Sequence, residues 1–145
     1  MKLAMRSDYG ARAIIDLARH YNEGPVQSAD IAGRQAIPEA YLEQLLTTLR
    51  KSGFIRSVRG PHGGHELAQP PSDIRFADVI AALEGPFSPL DCLEDADSCV
   101  ISPTCGMREV WQEVVASTKR ILEATSIQDL VERQKARESR AMYHI

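Results

Sequence analysis

Apolar positions recur along this chain in two rhythms. Ile14, Leu17, Ala18 and Tyr21 follow the i, i+3, i+4, i+7 spacing of an amphipathic helix. Ser7 is its candidate N-cap, and Asn22-Glu23-Gly24-Pro25 stops it. Ser28 can cap a short second helix through about Arg34, and Gln35-Ala36-Ile37 then makes a turn. Pro38 suits the first position of a third helix, where its missing N–H would be unpaired anyway. Leu42, Leu45, Leu46 and Leu49 mark the inward stripe of that helix, and Gly53 ends it. The rhythm then changes. Phe54-Ile55-Arg56-Ser57-Val58 alternates like a strand, Arg59-Gly60-Pro61-His62-Gly63-Gly64 is turn chemistry, and His65-Glu66-Leu67 returns as a second strand. Two short helices joined by a turn and packed on a longer one form a helix-turn-helix, and the hairpin that follows is its wing.

Phe76, Val79, Ile80 and Leu83 give a further amphipathic helix closed by Gly85-Pro86. An irregular stretch from Pro86 to Cys105 holds all three cysteines, and a long helix is predicted from Gly106 to Ala124. Met107, Trp111, Val114, Thr118, Ile121 and Thr125 fall at alternating steps of four and three, a coiled-coil-like seam. Val110, Val115 and Leu122 widen this apolar face beyond what one small domain needs to cover, which points to a second copy of the chain. Ser126-Ile127-Gln128-Asp129 reads as a capping box for a last helix with Ile127, Leu130 and Val131 inward, and the charged tail from Glu132 to Ile145 is expected to fray.

A length of 145 residues suits one domain, and 43% hydrophobic with 26% charged residues is globular composition. No apolar run nears the ~18 residues of a membrane span. The first residues turn polar too soon for a signal-peptide core, so a cytoplasmic protein is expected. With only 6% aromatic residues, a base-stacking platform for single strands is disfavoured. The net charge of −3 conceals two opposite patches. Gln44 to His65 carries +4 from Arg50, Lys51, Arg56 and Arg59, whereas Glu84 to Cys99 carries −5. A basic helix-turn-helix with a wing fits duplex DNA, its helix in the major groove and its wing arginine in the minor groove. Tyr41, Glu43, Gln44, Thr47 and Arg50 on the helix, with Arg59 and Gly60 on the wing, are the candidate DNA contacts. Gln44 can pair with adenine, Glu43 can accept from cytosine, and Tyr41 and Thr47 can reach phosphates. A twofold dimer of such heads reads near-palindromic DNA with half-sites about one helical turn apart, or a multiple of that. There is no G-x-S-x-G elbow and no G-x-x-x-x-G-K phosphate loop, so no enzyme is expected.

The fold expected is therefore mainly α with a small β-wing: a winged helix-turn-helix plus a long dimerisation helix. Residues 1–84 form the DNA-binding region, 85–105 the cysteine loop, 106–138 the dimerisation and C-terminal helices, and 139–145 a tail. The cysteines are spaced Cys92-x6-Cys99-x5-Cys105, without a C-x-x-C pair or a nearby histidine, which disfavours a zinc ribbon or finger. Three thiolates with one other ligand suit an iron–sulfur cluster. A thiol redox switch, or three unrelated thiols, fits the spacing as well.

Ser7-Asp8-Tyr9-Gly10-Ala11-Arg12-Ala13, Tyr41-Leu42-Glu43-Gln44-Leu45-Leu46, Arg59-Gly60-Pro61 with Gly63-Gly64, and Ala82-Leu83-Glu84-Gly85-Pro86 stand ahead of the cysteine loop and long helix. This combination resembles the iron–sulfur cluster-dependent winged-helix transcription regulators (IscR/NsrR-like) over nearly the whole chain. The resemblance implies a homodimeric regulator, in repressor form, whose cluster senses cluster status, redox state or nitric oxide. It implies Cys92, Cys99 and Cys105 as ligands of a 2Fe–2S or 4Fe–4S cluster, Glu43 and Gln44 as base readers, and Arg59 with Gly60 in the minor groove. Asp8 matches the position from which nitric-oxide-sensing members donate a carboxylate across the dimer; it also suits the first turn of a helix on dipole grounds alone. Two departures stand out. The first cysteine gap is six residues rather than five, and Arg108 occupies the place of the histidine ligand found in the cluster-biogenesis members. The fourth ligand and the cluster nuclearity thus stay open. The alternative is a cluster-free winged-helix repressor controlled by thiol oxidation or a partner protein.

Overall fold

Leu42, Leu46 and Leu49 are each at most 1% exposed, so the stripe of the third helix forms the centre of the core. Residues 2–143 are described by a computed structural model. In chain order its main elements are α1 (Met5–Arg19), α2 (Ser28–Gln35), α3 (Glu39–Lys51), β1 (Ile55–Val58), β2 (Gly64–Leu67), α4 (Phe76–Glu84), α5 (Arg108–Ala124) and α6 (Ile127–Met142). Ile14 and Leu17 of α1, Ile31 of α2 and Val79 of α4 close around the α3 leucines, and Ile127 and Val131 of α6 join the same core from the far side of α1. The head that carries the wing is therefore sealed by residues from both ends of the chain.

The helix starts show where local rules are overridden. α1 begins at Met5 with Ala4 at the N-cap, so Ser7 is not its cap. Ser7 is instead fully buried, and its hydroxyl donates to Glu84 at the end of α4. Ser28 lies inside α2 rather than before it, and its hydroxyl donates to Glu43 of α3. Pro38 is the residue before α3, one position earlier than expected. α2 ends on Ala36 in the left-handed region at φ +54°, whose N–H bonds Ala32 O, a sharp stop that turns the chain into α3.

The wing forms as expected, with β1 antiparallel to β2 in the register Ile55↔Leu67 to Val58↔Gly64. Val26, between α1 and α2, adds a bridge: its N–H and C=O both bond His65 at 2.8 Å. Gly64 must be glycine, because its φ is +153° and a Cβ would lie 2.5 Å from the Val26 carbonyl oxygen.

α6 opens on the expected capping box: Ser126 Oγ accepts from Asp129 N at 3.0 Å and Asp129 Oδ2 accepts from Ser126 N at 2.9 Å. Those bonds hold the Asp129 carboxyl below the usual carboxylate range. The helix does not fray from Glu132 but runs to Met142. Glu138 forks the Arg19 guanidinium at 2.6 and 2.9 Å, which ties this charged stretch to α1. The remainder of the expected tail, residues 144–145, lies outside the described residues.

α5 differs from every other long helix here: none of its 17 residues is buried. It leans on α4 and leaves Val110 and Ile121 about 60% exposed (60% and 63%), and Met107, the residue before it, is 61% exposed. Among the described residues, no helix is long and apolar enough to cross a membrane.

Candidate nucleic-acid interface and cysteine loop

Because the α3 leucines face inward, Glu43, Gln44, Thr48 and Arg50 face outward and are exposed, while Tyr41 and Thr47 are half-buried at the edges. The Tyr41 ring meets Tyr9 of α1 edge-on with centroids 5.9 Å apart, and Arg12 stacks over Tyr9 at 5.4 Å. Thr47 and Thr48 donate back to the carbonyls of Glu43 and Gln44 at 2.9 and 3.3 Å, which turns their hydroxyls along the helix. Glu43 is held by Ser28, so α2 fixes the carboxylate on the outward face of α3.

Arg59 and Gly60 occupy the exposed wing turn, where Gly60 takes φ +108°. Arg56 is paired with Glu66 at 2.7 Å, but Arg50, Lys51 and Arg59 have no ion-pair partner among the described residues. The outward face of α3 and the wing thus carry three cations free to meet phosphate. Arg50 is braced to the wing, since one of its N–H groups donates to Ser57 Oγ at 3.3 Å.

Two polar clusters, one buried at Asp16 and one half-buried at Glu84, fix α1 against its neighbours, and local sequence signals do not show either one. Asp16, 1% exposed on α1, accepts from Arg34 Nε at 3.0 Å, from a second Arg34 nitrogen at 2.8 Å and from Gln35 Nε2 at 3.0 Å. It clamps the end of α2 just before the turn into α3. At the other side of α1, Glu84 accepts from the Ser7 hydroxyl and from Ala4 N, and Arg6 Nε donates to the Leu83 carbonyl at 2.8 Å. The start of α1 is thereby fastened to the root of the cysteine loop. The Ser7 hydroxyl, with smaller help from Ala4 N–H and Arg6, holds the Glu84 carboxyl below its ordinary range.

The loop itself folds as three short 3-10 turns, Asp91–Leu93, Ala96–Ser98 and Ser102–Thr104. Cys92 lies within the first turn, and Cys99 and Cys105 directly follow the second and third. All three are free thiols and half-buried. Among the described residues no set of three or more cysteine, histidine, aspartate and glutamate side chains is gathered for a metal ion. Asp8 is engaged elsewhere, with Arg12 at 2.6 Å. Arg108, at the start of α5, donates to the Cys92 carbonyl and reaches Ser102 Oγ at 3.5 Å, spanning the loop from its first turn to its last. The donor set suits an iron–sulfur cluster in kind: three accessible thiols on one loop, with no disulfide to consume them. Gathering them requires the loop to close.

The profile described as Rrf2, iron-dependent transcriptional regulator, matches residues 3–133. The chain belongs to the Rrf2 family. The Rrf2 protein of Nitratidesulfovibrio vulgaris is 42% identical over 131 residues, 90% of this chain and 87% of that one. The solved structure of CymR, the global cysteine regulator of B. subtilis, superposes with TM-score 0.78 at 35% identity, covering 92% of this chain and 98% of that one. IscR of T. potens superposes with TM-score 0.76 at 36% identity, covering 92% and 88%. This Rrf2 chain is thus a transcriptional regulator with a winged DNA-binding head, and not an enzyme. The expected fold of helices with a two-stranded wing holds throughout.

Proposed function

We propose that this Rrf2 chain is a homodimeric repressor whose grip on a near-palindromic duplex is set by an iron–sulfur cluster held by Cys92, Cys99 and Cys105, with Asp8 of the partner subunit as fourth ligand. The observation that carries the proposal is placement: three free thiols lie on one loop between the winged head and α5, a helix with no buried residue. Its exposed Val110 and Ile121, with Met107 just ahead of it, supply the apolar seam for a second copy. Three unpaired thiols accord with a reducing, cytoplasmic setting. When bound, the cluster supplies a charged, redox-active cross-link among the thiolates.

The chain's own residues do the rest. Arg108 cannot replace the missing histidine, because a guanidinium stays protonated and has no lone pair to give. It braces the loop instead; Asp8 is assigned the fourth position on the resemblance to the nitric-oxide-sensing members. Arg12 joins Asp8 to the Gln35 carbonyl at 3.3 Å, at the end of α2. A change in what Asp8 holds is therefore felt at the turn that aims α3. Gln44 and Glu43 read bases in the major groove, Tyr41 and Arg50 meet phosphates, Thr47 joins them by turning its hydroxyl from the Glu43 carbonyl to a phosphate, and Arg59 with Gly60 enters the minor groove.

A second reading, a cluster-free repressor controlled by thiol oxidation, is favoured by one observation: the thiols are not pre-gathered, and the fold closely matches a cysteine regulator. Anaerobic purification separates the two. Iron and sulfide bound in comparable amounts, with a visible chromophore lost in Cys99→Ser and altered in Asp8→Ala, supports the cluster. Protein that stays colourless and free of iron and sulfide after reconstitution refutes the cluster and supports cluster-free control, by thiol oxidation or a partner protein.

A further inference from the structure

His65 lies at the seam between the helix and the wing, and neither cluster chemistry nor base reading uses it. Its backbone is fixed on both sides, by Ser57 in register on β1 and by Val26. The half-buried imidazole places Nδ1 3.3 Å from Ser57 Oγ, the same oxygen that accepts from Arg50 at 3.3 Å. A hydroxyl has one proton to donate. With Arg50 donating in, Ser57 donates onward to Nδ1, which can accept only while the imidazole is neutral.

We propose that His65 is a positioning residue for DNA contact: when neutral it holds Arg50 against the wing through Ser57, and when protonated it releases Arg50 and adds its own charge to the interface. On protonation, Nδ1 becomes a donor. Two cationic groups then aim at one hydroxyl oxygen and repel each other across it. A backbone phosphate arriving between α3 and the wing offers both of them an acceptor.

The surroundings favour the neutral form in the free protein. Burial pushes the His65 pKa below its ordinary value; Arg50 acts in the same sense, and Glu43 opposes them. Glu43 is already occupied by Ser28. Arg56 of β1 and Glu66 of β2 neutralise each other. From the α1–α2 connection come the Val26 backbone and the Gln27 amide, which donates to the Gly63 carbonyl at 2.7 Å. Arg59 and His62 lie farther out along the exposed wing turn. The phosphate of a bound duplex is then the added charge that raises the imidazole pKa. Binding takes up a proton, and affinity rises as pH falls, by at most about tenfold per pH unit for one proton.

This inference rests on the assignment of α3 and the wing as the duplex-binding surface. The test uses the full chain and a duplex enriched by the chain itself from a random-sequence pool, titrated at fixed salt between about pH 8 and pH 6. Wild type is expected to tighten several-fold across that range. His65→Gln, which keeps a polar group but cannot titrate, is expected to be flat and within about threefold of wild type at the alkaline end; His62→Gln keeps the wild-type profile. Should His65→Gln fail to fold, the imidazole of wild type is followed by NMR, and its pKa must rise when duplex is added. A flat wild-type profile, pH dependence retained in His65→Gln, or an imidazole unmoved by duplex overturns the proposal while leaving the interface standing. Failure to bind any duplex at any pH refutes the interface and this proposal together.

Discussion

Removing the Asp16 carboxylate should loosen α1 from the turn that leads into α3. The carboxylate is 1% exposed and accepts two hydrogen bonds from Arg34 and one from Gln35, at 2.8–3.0 Å. Hydrogen bonds to charged groups contribute about 1.5–3 kcal/mol each, so the two from Arg34 alone supply about 3–6 kcal/mol. Two terms reduce that. Burying the carboxylate costs free energy that alanine does not incur. The Arg34 side chain is 42% exposed, so a released guanidinium is hydrated rather than stranded. The net loss expected for Asp16→Ala is about 2–3 kcal/mol, or ~6–9 °C in Tm for a chain of this size. Asp16→Asn keeps the volume but turns an amide N–H₂ toward donors, so it should lose nearly as much. Urea and thermal unfolding at fixed protomer concentration measure both, since self-association makes Tm depend on concentration. A loss under about 0.5 kcal/mol for alanine, or an asparagine variant equal to wild type, refutes the view that this clamp holds the head together.

Arg59→Ala should weaken duplex binding and reduce the slope of log affinity against log salt by about one, as titrations at several salt concentrations will show; an unchanged slope removes the wing arginine from the interface. Glu84 has its pKa lowered by the fold, so its contribution to stability is present above about pH 4.3 and is lost as pH falls through the folded value. Thermal unfolding between about pH 6 and pH 3 should therefore fall more steeply for wild type than for Glu84→Gln, and parallel curves contradict the Ser7–Glu84 contact. Ile121 is 63% exposed, so Ile121→Glu should leave the helical circular dichroism intact while sedimentation shifts from dimer to monomer; a variant that remains dimeric moves the interface elsewhere.

Periodicity made the helices legible where one face is apolar. The leucines at 42, 45, 46 and 49 are as buried as their spacing requires, and the Ser126–Asp129 box forms even though aspartate replaces the longer side chain. Ser7 and Ser28 misled because a serine near a helix start usually caps it, whereas here partners 77 and 15 residues away take the hydroxyls. No local rule reaches that far. The charged run after Glu132 stays helical for a similar reason: Arg19, 119 residues distant, anchors Glu138. Asp16 was illegible because a buried carboxylate is recognised only by its neighbours. The wing was legible from its glycines, but the Arg50–Ser57–His65 relay needed the strand register. The cysteine spacing suits a cluster, a thiol switch or three unrelated thiols alike, and the choice depends on a ligand and a second chain that no spacing shows.

If the state of the cysteine loop sets the hold of the paired heads on DNA, anaerobic duplex titration must distinguish iron- and sulfide-loaded protein from the same preparation after chelation. Affinities differing by about tenfold or more, with Cys92→Ser behaving like the chelated form in both preparations, are the predicted result. Identical affinities for protein verified to contain iron and sulfide and for its stripped counterpart would show that the loop does not control DNA binding.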